Sequence, residues 1–323
     1  MFEQSFDDLR DKTAPALKAA QLYYVHNLTM DTIAQELQTS RSTVSRLLSF
    51  ARKTGLVDIQ IRSPHDHSSS LKAAIQARFS VVAHIVSVPG NVSAVDRLER
   101  VSMSAARLLS VFIDSNMIIG VAWGSTVTAV TRHLVPKNIH NTEFIQLNGA
   151  GNIRTSGVVY ASEILRRFGA TYSANIEQFP APAFFDNPTT KEAFWNERST
   201  RHLLNIQEQM DMAIFSVGSP FSKVPSHVYI GGYLDPEDIQ SLADSGVVGD
   251  VATVFFRADG SYEDVPLNLR ATGPDFAVLK RVARRVCIVS GVSKLASLKG
   301  ALAAGLITDL IVDEATARAL AES

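Results

Sequence analysis

Short apolar runs alternate with helix-like stretches through most of this chain, and this alternation limits the fold more than any other feature. Strand-like runs lie at residues 83–88, 117–123, 143–147, 212–217, 285–290 and 309–312, and most are separated by helical periodicity, as at 95–112. Strands that alternate with helices form parallel sheets, because each crossover helix returns the chain to the same edge. The sequence therefore predicts a doubly wound, mostly parallel α/β domain over residues 71–323.

The residues before this region form a separate part of the chain. At 323 residues the chain exceeds what one core usually supports, so we expect two domains, the first over residues 1–62. The stretch 63–70 is polar and contains proline, which is typical of an interdomain linker. His65 and His67 lie there without a rigid scaffold or further clustered ligands, so we predict no metal site.

Three helices are predicted between residues 14 and 51, and their spacing is that of a helix-turn-helix. Ala34 would allow two helices to approach closely, and Val44, ten positions later, would lock the second helix against the first. Ser40 is the expected N-cap of the third helix. The turn has Gln38 where glycine is common, and the alternation over residues 55–62 predicts a short strand or wing.

The third helix carries positive charge in a chain whose formal net charge is −1. Residues 38–57 contain no acid, and guanidinium groups beside short hydroxyl side chains suit the phosphates and base edges of double-stranded operator DNA. An alternative is a small helical bundle that mediates protein contacts. We expect base edges to be contacted by Arg41, Ser42 and Thr43, and phosphates by Arg46, Arg52 and Lys53, with Ser40 and Ser45 completing the DNA-binding set.

The clearest candidate binding turn follows the run at residues 117–123. Gly124, Ser125 and Thr126 come between a buried strand and a predicted helix at 127–134, so backbone N–H groups and hydroxyls would converge there. This arrangement predicts an anion site. The alternative is that Ser125 or Thr126 simply caps the helix.

Three further positions are candidates on the same reasoning, since ligands of such sheets bind beyond the carboxyl ends of the strands. Asn148 and Gly149 follow residues 143–147, where glycine would permit close approach of a ligand. Lys294 begins a helix after residues 285–290, where a cation opposes the helix dipole. A bound phosphate would supply the missing negative charge, and plain solvent exposure is an equal alternative. Asp250 precedes a predicted hairpin turn at 258–261 and could accept sugar hydroxyls, or could merely form a turn.

Several classes of protein are excluded by what the sequence lacks. The longest apolar runs are far shorter than the roughly 20 residues that a membrane-spanning helix needs, so we expect no membrane partner. Residues 1–11 are polar and acidic rather than basic and then apolar, which indicates a cytoplasmic protein. The single cysteine, Cys287, lies in an apolar run and permits no internal disulfide.

The segments 23–34 and 40–57 resemble the DNA-binding part of SorC-type sugar-responsive transcription regulators. The resemblance continues through the larger region, whose family fold is similar to sugar-phosphate isomerases and deaminases. It implies a phosphate loop at 123–126, a hydroxyl-binding acid at Asp250, a phosphate-binding Lys294 and assembly into a dimer or tetramer. In at least one family member a lysine at the position of Asn148 forms an imine with its effector, so Asn148 implies reversible binding.

These observations predict a transcriptional regulator whose operator binding is controlled by a phosphorylated sugar, without cofactor or catalysis. One alternative is a sugar-phosphate isomerase or deaminase with an accessory DNA-binding module, which needs converging acid and base groups. His133 falls late in a predicted helix and His140 in a polar turn, so neither is expected to reach the site. Another alternative, a DNA-binding scaffold without a ligand, is countered mainly by the turn at 124–126.

Overall fold

The computed structural model describes residues 3–54, 56–57, 68–224 and 226–323. The chain divides into two compact units, Met1–Asp66 and His67–Ser323. The first unit contains α1 (Glu3–Ala20), a π-helical turn (Gln21–Val25), α2 (Met30–Glu36) and α3 (Arg41–Lys53). Side-chain oxygens cap the N-termini of α2 and α3. The N–H of Thr32 donates to Thr29 Oγ1 at 3.2 Å, and the N–H of Thr43 donates to Ser40 Oγ at 3.1 Å. The predicted N-cap at Ser40 is therefore confirmed.

The turn between α2 and α3 is tight, and the structure shows how it tolerates a side chain. Gln38 adopts a left-handed conformation with φ of 49°, at the place where glycine is common. Ala34 and Val44 both belong to the buried cluster of this unit, as the predicted spacing requires. The helix-turn-helix geometry is therefore held by packing despite a locally unfavourable backbone at Gln38.

The predicted wing and linker fall largely outside the described residues. Position 55 and residues 58–67 are not described, which covers most of the wing and most of the linker. The last three residues of the predicted linker are helical, because α4 spans Ser68–Phe79. Ile75 in this helix is fully buried, so packing of its apolar face extends the helix back into the serine-rich segment.

The second unit is built on two sheets. Its strands are β1 (Val82–Val86), β2 (Ile118–Val121), β3 (Glu143–Gln146), β4 (Asn175–Glu177), β5 (Met212–Phe215), β6 (Val217–Gly218), β7 (Val247–Val251), β8 (Val254–Arg257), β9 (Arg284–Val289) and β10 (Asp309–Asp313). Seven form one sheet in the order β1-β10-β9-β5-β2-β3-β4, and every neighbouring pair in it is parallel. The six predicted strands are all present in this sheet. A second, antiparallel sheet has the order β6-β7-β8.

Helices cover both faces of the large sheet, as a doubly wound fold requires. They are α5 (Ala94–Phe112), α6 (Ser125–Thr131), α7 (Val158–Tyr172), α8 (Pro188–Trp195), α9 (Arg198–Gln207), α10 (His227–Ile230), α11 (Pro236–Asp244), α12 (Phe276–Arg281), α13 (Leu295–Ala303) and α14 (Glu314–Glu322), with 3₁₀ turns at Pro266–Leu269 and Val292–Lys294. Alternate residues of β5 enter different cores: Ala213 and Phe215 pack with α4, α9, α13 and α14, whereas Met212 and Ile214 pack with α5, α6 and α7. This alternation follows from the two-residue period of a strand.

The hairpin near Asp250 differs from the prediction. Asp250 lies within β7, and the chain reverses at Ala252 and Thr253, which have φ of 48° and 69°. A turn also exists at residues 258–260, but no strand follows it. The turn at Ala252 and Thr253 lacks the glycine and asparagine typical of a two-residue hairpin loop, which is why the sequence pattern did not reveal it.

Candidate functional site

The strand order of the large sheet reverses next to β2. From β2 the chain moves outward to β3 and β4, and it then returns to β5 on the other side of β2. Ligands of open α/β sheets bind beyond the carboxyl ends of the strands at such a reversal. The segments that follow β2, β3, β5 and β9 therefore meet at the place where a ligand site is expected.

A cavity of about 40 Å³ lies at this edge. Most of the residues predicted to bind the effector line it, namely Gly124, Ser125, Thr126, Asn148, Asp250 and Lys294. They come from four separate parts of the chain, which the two sheets bring together. Their role in binding remains a prediction, but their placement in one cavity is a structural observation.

The turn after β2 has the form that a binding loop needs. Gly124 is the N-cap of α6, with φ of 154° and ψ of 165°, a backbone conformation that residues with a side chain rarely adopt. Ser125 and Thr126 are the first two residues of α6, and no side-chain hydrogen bond caps the helix. The alternative that Ser125 or Thr126 serves as the cap is therefore wrong, and both residues line the cavity.

Lys294 is buried, so the alternative of a solvent-exposed lysine is also wrong. Only 5% of its surface is exposed, and its ammonium donates to the carbonyl oxygen of Val217 at 3.0 Å and to Ser216 Oγ at 3.3 Å. Burial lowers the pKa of Lys294 to about 8, which the nearby carboxylate of Asp250 partly opposes. A buried ammonium with neutral partners is a favourable place for an anion.

Asp250 serves both the hairpin and the cavity. Its Oδ2 accepts the N–H of Thr253 at 3.2 Å, which closes the turn, while its Oδ1 has no hydrogen-bond partner among the described residues. Burial raises the pKa of Asp250 to about 6, although the Thr253 N–H and the charge of Lys294 counteract part of this rise. The turn-forming role weighed from the sequence is real. It leaves Oδ1 without a hydrogen bond among the described residues, although the hydroxyl of Tyr229 lies close enough to lower the pKa of Asp250.

Asn148 presents a second oxygen of the same kind. Its amide nitrogen donates to Thr253 Oγ1 at 3.4 Å, and its Oδ1 has no partner among the described residues although only 1% of the residue is exposed. Buried acceptors without partners are rare in folded proteins, since each loses its hydrogen bonds to water. Two such oxygens beside one cavity can accept hydrogen bonds from hydroxyl donors.

Gly149 does not line the cavity, which corrects its assignment to the site. Its N–H donates to Thr272 Oγ1 at 3.0 Å, and its carbonyl accepts the indole N–H of Trp123 at 2.9 Å. A Cβ at this position would lie 2.2 Å from the carbonyl oxygen of Pro182. The glycine admits a neighbouring segment of backbone rather than a ligand.

Several cavity residues were missed by the sequence reasoning. Ser216 and Gly218 follow β5 directly, so the strand-end argument used for the other positions would have found them. A Cβ at Gly218 would lie 1.9 Å from Asp250 Oδ1, so this glycine leaves room for that carboxylate. His227, the first residue of α10, reaches the cavity from outside the large sheet. No pattern in the neighbouring sequence predicted that it would line the site.

The two histidines considered from the sequence lie elsewhere. The ring of His133 is 2.7 Å from Glu99 Oε1, and that of His140 is 3.0 Å from Ser115 Oγ. Within the described parts of the chain, no group of three His, Cys, Asp or Glu side chains could hold a metal ion. None of the described helices is long and apolar enough to cross a membrane.

The predicted DNA-binding residues form an exposed face on α3. The side chains of Arg41, Ser42, Ser45, Arg46 and Arg52 are exposed, that of Thr43 is half-buried, and that of Lys53 lies outside the described residues. Ser40 is exposed, but its hydroxyl is engaged in capping. Arg41 Nε lies 3.6 Å from Asp31 Oδ1, an exposed pair that contributes little to stability and can open to admit a phosphate or a base.

A protein-family comparison matches most of the chain. Residues 63–322 match the family described as "Putative sugar-binding domain". The sorbitol operon regulator of Klebsiella pneumoniae is 24% identical over 321 residues, which cover 98% of this chain and 99% of that protein. The chain belongs to the SorC-type family of transcriptional regulators with a sugar-binding domain. Another relative of this SorC-type chain, the deoxyribonucleoside regulator of Bacillus subtilis, is 28% identical over 312 residues, covering 96% and 98% of the two chains.

Solved structures of transcriptional regulators share the fold of this chain. A domain of a possible sugar-binding transcriptional regulator from Arthrobacter aurescens TC1 is 54% identical and superposes with a TM-score of 0.76, covering 81% of this chain and all of that one. The full-length sorbitol operon regulator SorC from Klebsiella pneumoniae is 23% identical with a TM-score of 0.77, covering 95% and 97% of the two chains. The predicted combination of an N-terminal helical region with a mostly parallel α/β domain is confirmed.

Proposed function

We propose that this SorC-type regulator binds operator DNA through α3, and that reversible binding of a phosphorylated sugar in the strand-end cavity controls this DNA binding. One observation carries the proposal. The cavity combines a buried ammonium, that of Lys294, with two buried acceptor oxygens that make no hydrogen bond to any described residue, Asp250 Oδ1 and Asn148 Oδ1.

The chemistry of the cavity favours a ligand with two kinds of group. An anionic group would compensate the charge of Lys294, and the hydroxyls of Ser125 and Thr126 can donate to its oxygens. Sugar or polyol hydroxyls would donate to the free oxygens of Asp250 and Asn148, which removes the penalty of leaving them unpaired. A phosphorylated sugar carries both groups. The amide nitrogen of Asn148 cannot form an imine, which supports a reversible complex.

The size of the cavity connects binding to a change of conformation. A volume of about 40 Å³ holds roughly three water molecules. A sugar phosphate is larger than this, and the cavity is partly open to solvent, so we expect the ligand to extend outward and to displace lining side chains or the segment at Ser226 and His227. A ligand that binds the more open arrangement shifts the population of conformations towards it, which is the physical requirement for control of a distant function.

The DNA-binding half of the proposal is supported by the exposed basic and hydroxyl side chains of α3 and by the regulators that the chain resembles. One helix-turn-helix reads only a few base pairs, so we expect two or more copies of the chain on repeated half-sites. Such a homo-oligomer would act in the cytoplasm, where the DNA of a bacterium lies.

The proposal is tested by a thermal-unfolding screen of the full chain against phosphorylated pentoses, hexoses and trioses. We expect one class to raise the melting temperature by several degrees, since saturation at about 100 times Kd stabilises a protein by roughly 2.7 kcal/mol. Lys294→Ala and Thr126→Val should lose this rise, whereas Lys72→Ala, an exposed lysine on α4, should keep it. A full response in both cavity variants would refute the proposed site.

An enzyme remains the second candidate, because His227, Asp250 and Lys294 line one cavity and could in principle transfer protons. The relatives described above are named as regulators, which favours ligand binding without turnover. Incubation of the purified chain with the same sugar phosphates, followed by phosphorus NMR, should show no new species. Isomerisation or deamination that is lost in Asp250→Asn would establish the enzyme instead.

A further inference from the structure

His227 stands out among the cavity residues because its ring is held in place from outside the cavity. It stacks on the ring of Tyr160 in α7 with a centroid distance of 4.5 Å and an angle of 11° between the planes. Stacking restricts the plane of the imidazole, while the same residue lines the cavity with Lys294 and Asp250. The ring is therefore presented in a defined orientation at the edge of the ligand space.

A chain of hydrogen bonds connects this stack to the turn after β2. Thr128 Oγ1 lies 2.9 Å from the carbonyl oxygen of Gly124 and 3.0 Å from the hydroxyl oxygen of Tyr160. Thr128 is the donor in both contacts, so its single hydroxyl proton is shared between the carbonyl of Gly124 and the hydroxyl oxygen of Tyr160. The histidine is thus tied, through Tyr160 and Thr128, to the turn that carries Ser125 and Thr126.

The charges around His227 favour a neutral ring in the absence of a ligand. Burial lowers the pKa of His227. Tyr160, whose pKa burial raises to about 12 despite the charge of Arg132, stays neutral beside it. The cavity also contains the ammonium of Lys294, with a pKa near 8, and the carboxyl of Asp250, with a pKa near 6. An anion placed between these groups would favour a protonated imidazole.

We propose that His227 binds the anionic group of the effector together with Lys294 and the Gly124 turn, and that it takes up a proton from solvent as the complex forms. This inference rests on the proposed function and assigns a new residue to it. Tyr160 and Thr128 act as positioning residues that hold the imidazole at the anion. Binding of a dianion should consequently become tighter as the pH falls towards the pKa of the free histidine.

Sulfate is the most suitable probe of proton uptake by His227, because it resembles a phosphate group but does not itself titrate near neutral pH. The ring resonances of His227 would be followed by NMR from pH 5 to 8, in protein labelled at histidine and assigned with His227→Asn. Saturating sulfate should raise the titration midpoint of His227 by about one unit. His202, exposed on α9, is the matched control, and its midpoint should not move.

Affinity provides the second measurement. His227→Asn should bind sulfate and inorganic phosphate about tenfold or more weakly, because a charge-assisted hydrogen bond is lost. His202→Asn should bind both anions as the unsubstituted chain does. Tyr160→Phe keeps the stacked ring but loses the hydroxyl, so it should weaken binding less than His227→Asn does and should remain folded.

The outcomes distinguish this inference from the proposed function. A sugar phosphate that stabilises the protein without changing the titration of His227, or with unchanged affinity in His227→Asn, would overturn the inference and leave the proposed function standing. If neither the two anions nor any phosphorylated sugar binds the unsubstituted chain, both are wrong. Should His227→Asn fold poorly, His227→Gln replaces it in both the NMR assignment and the affinity measurement.

Discussion

At the scale of single residues, the cavity holds polar groups that are unfavourable for folding. Asp250 and Lys294 are both buried, and each has its pKa shifted towards the neutral form. The buried Oδ1 of Asn148, which has no partner among the residues that the structure describes, adds a further penalty. Such an arrangement is stable only because the surrounding sheets hold it, and it is typical of a site that is completed by its ligand.

The buried carboxyl of Asp250 predicts a stability effect with a definite sign. Its pKa rises from an ordinary value of 3.8 to about 6 in the folded chain, so the folded state holds the proton more tightly than the unfolded state. This contribution to stability is fully present below pH 3.8 and is lost as the pH rises through about 6. Asp250→Asn should therefore raise the free energy of unfolding of the ligand-free chain above pH 6, by at most about 3 kcal/mol.

Denaturant unfolding between pH 4 and 8 measures this effect. The gain should shrink towards zero at the acid end, and loss of the attraction to Lys294 should hold it below the upper limit. Asp186→Asn, an exposed aspartate outside the cavity, should show no such trend. A variant that is less stable than the unsubstituted chain at pH 8 would mean that Asp250 is stabilised as a carboxylate.

At the scale of elements, the turn between α2 and α3 shows packing overriding local preference. Gln38 holds a left-handed backbone at φ of 49°, which a residue with a side chain adopts at a cost of about 1–2 kcal/mol. The helix-turn-helix keeps this conformation because Ile33 and Val44, on either side of the turn, are fully buried. The recognition helix is thus positioned by its core rather than by its turn sequence.

Glycine at this turn should stabilise the first unit. Gln38→Gly relieves the backbone strain but also increases the entropy of the unfolded chain, so we expect a net gain of about 0.5–1 kcal/mol. Gln35→Gly, an exposed position inside α2, should instead destabilise by about 1 kcal/mol. Circular dichroism, which monitors the thermal melting of the helical first unit, measures the stabilities of the two variants. Equal destabilisation by both variants would show that the turn is not strained.

The elements also show which local patterns are reliable. Six strands of the parallel sheet were predictable from their apolar runs, and the N-cap at Ser40 was predictable from its position before an amphipathic helix. The hairpin at Ala252 and Thr253 was not, because its two positive φ angles are imposed by pairing of β7 with β8 and by the Asp250 carboxylate. The assignment of Gly149 to the ligand site was wrong for a similar reason, because a neighbouring segment of backbone occupies the space that its missing side chain leaves.

At the scale of the whole molecule, the proposed function requires two separable activities in one chain. The compact units Met1–Asp66 and His67–Ser323 each have their own buried core, so damage to one site should leave the other intact. Coupling between them must be reciprocal: if the sugar phosphate weakens DNA binding, DNA weakens sugar-phosphate binding by the same factor.

Substitution of the α3 arginines tests this separation. Arg41→Ala combined with Arg46→Ala should reduce operator affinity about 100-fold or more, since each contact to DNA contributes roughly 1–3 kcal/mol. The rise in melting temperature caused by the sugar phosphate should persist in this variant. Arg201→Ala, exposed on α9, serves as the control. Fluorescence anisotropy with the DNA upstream of the gene measures the affinity, and an unchanged value would refute the assignment of α3 to DNA.

The sequence by itself determined the parts of this protein that depend on neighbouring residues along the chain. These are the alternation of strands and helices, the amphipathic α3 with its basic face, and the glycine turn after β2. Only the tertiary structure decided that Asn148, Asp250, Lys294 and His227 share one cavity, and that Gly149 does not. The reason is physical: periodicity and capping are local, whereas convergence and burial depend on the order of the strands, which joins residues far apart in the chain.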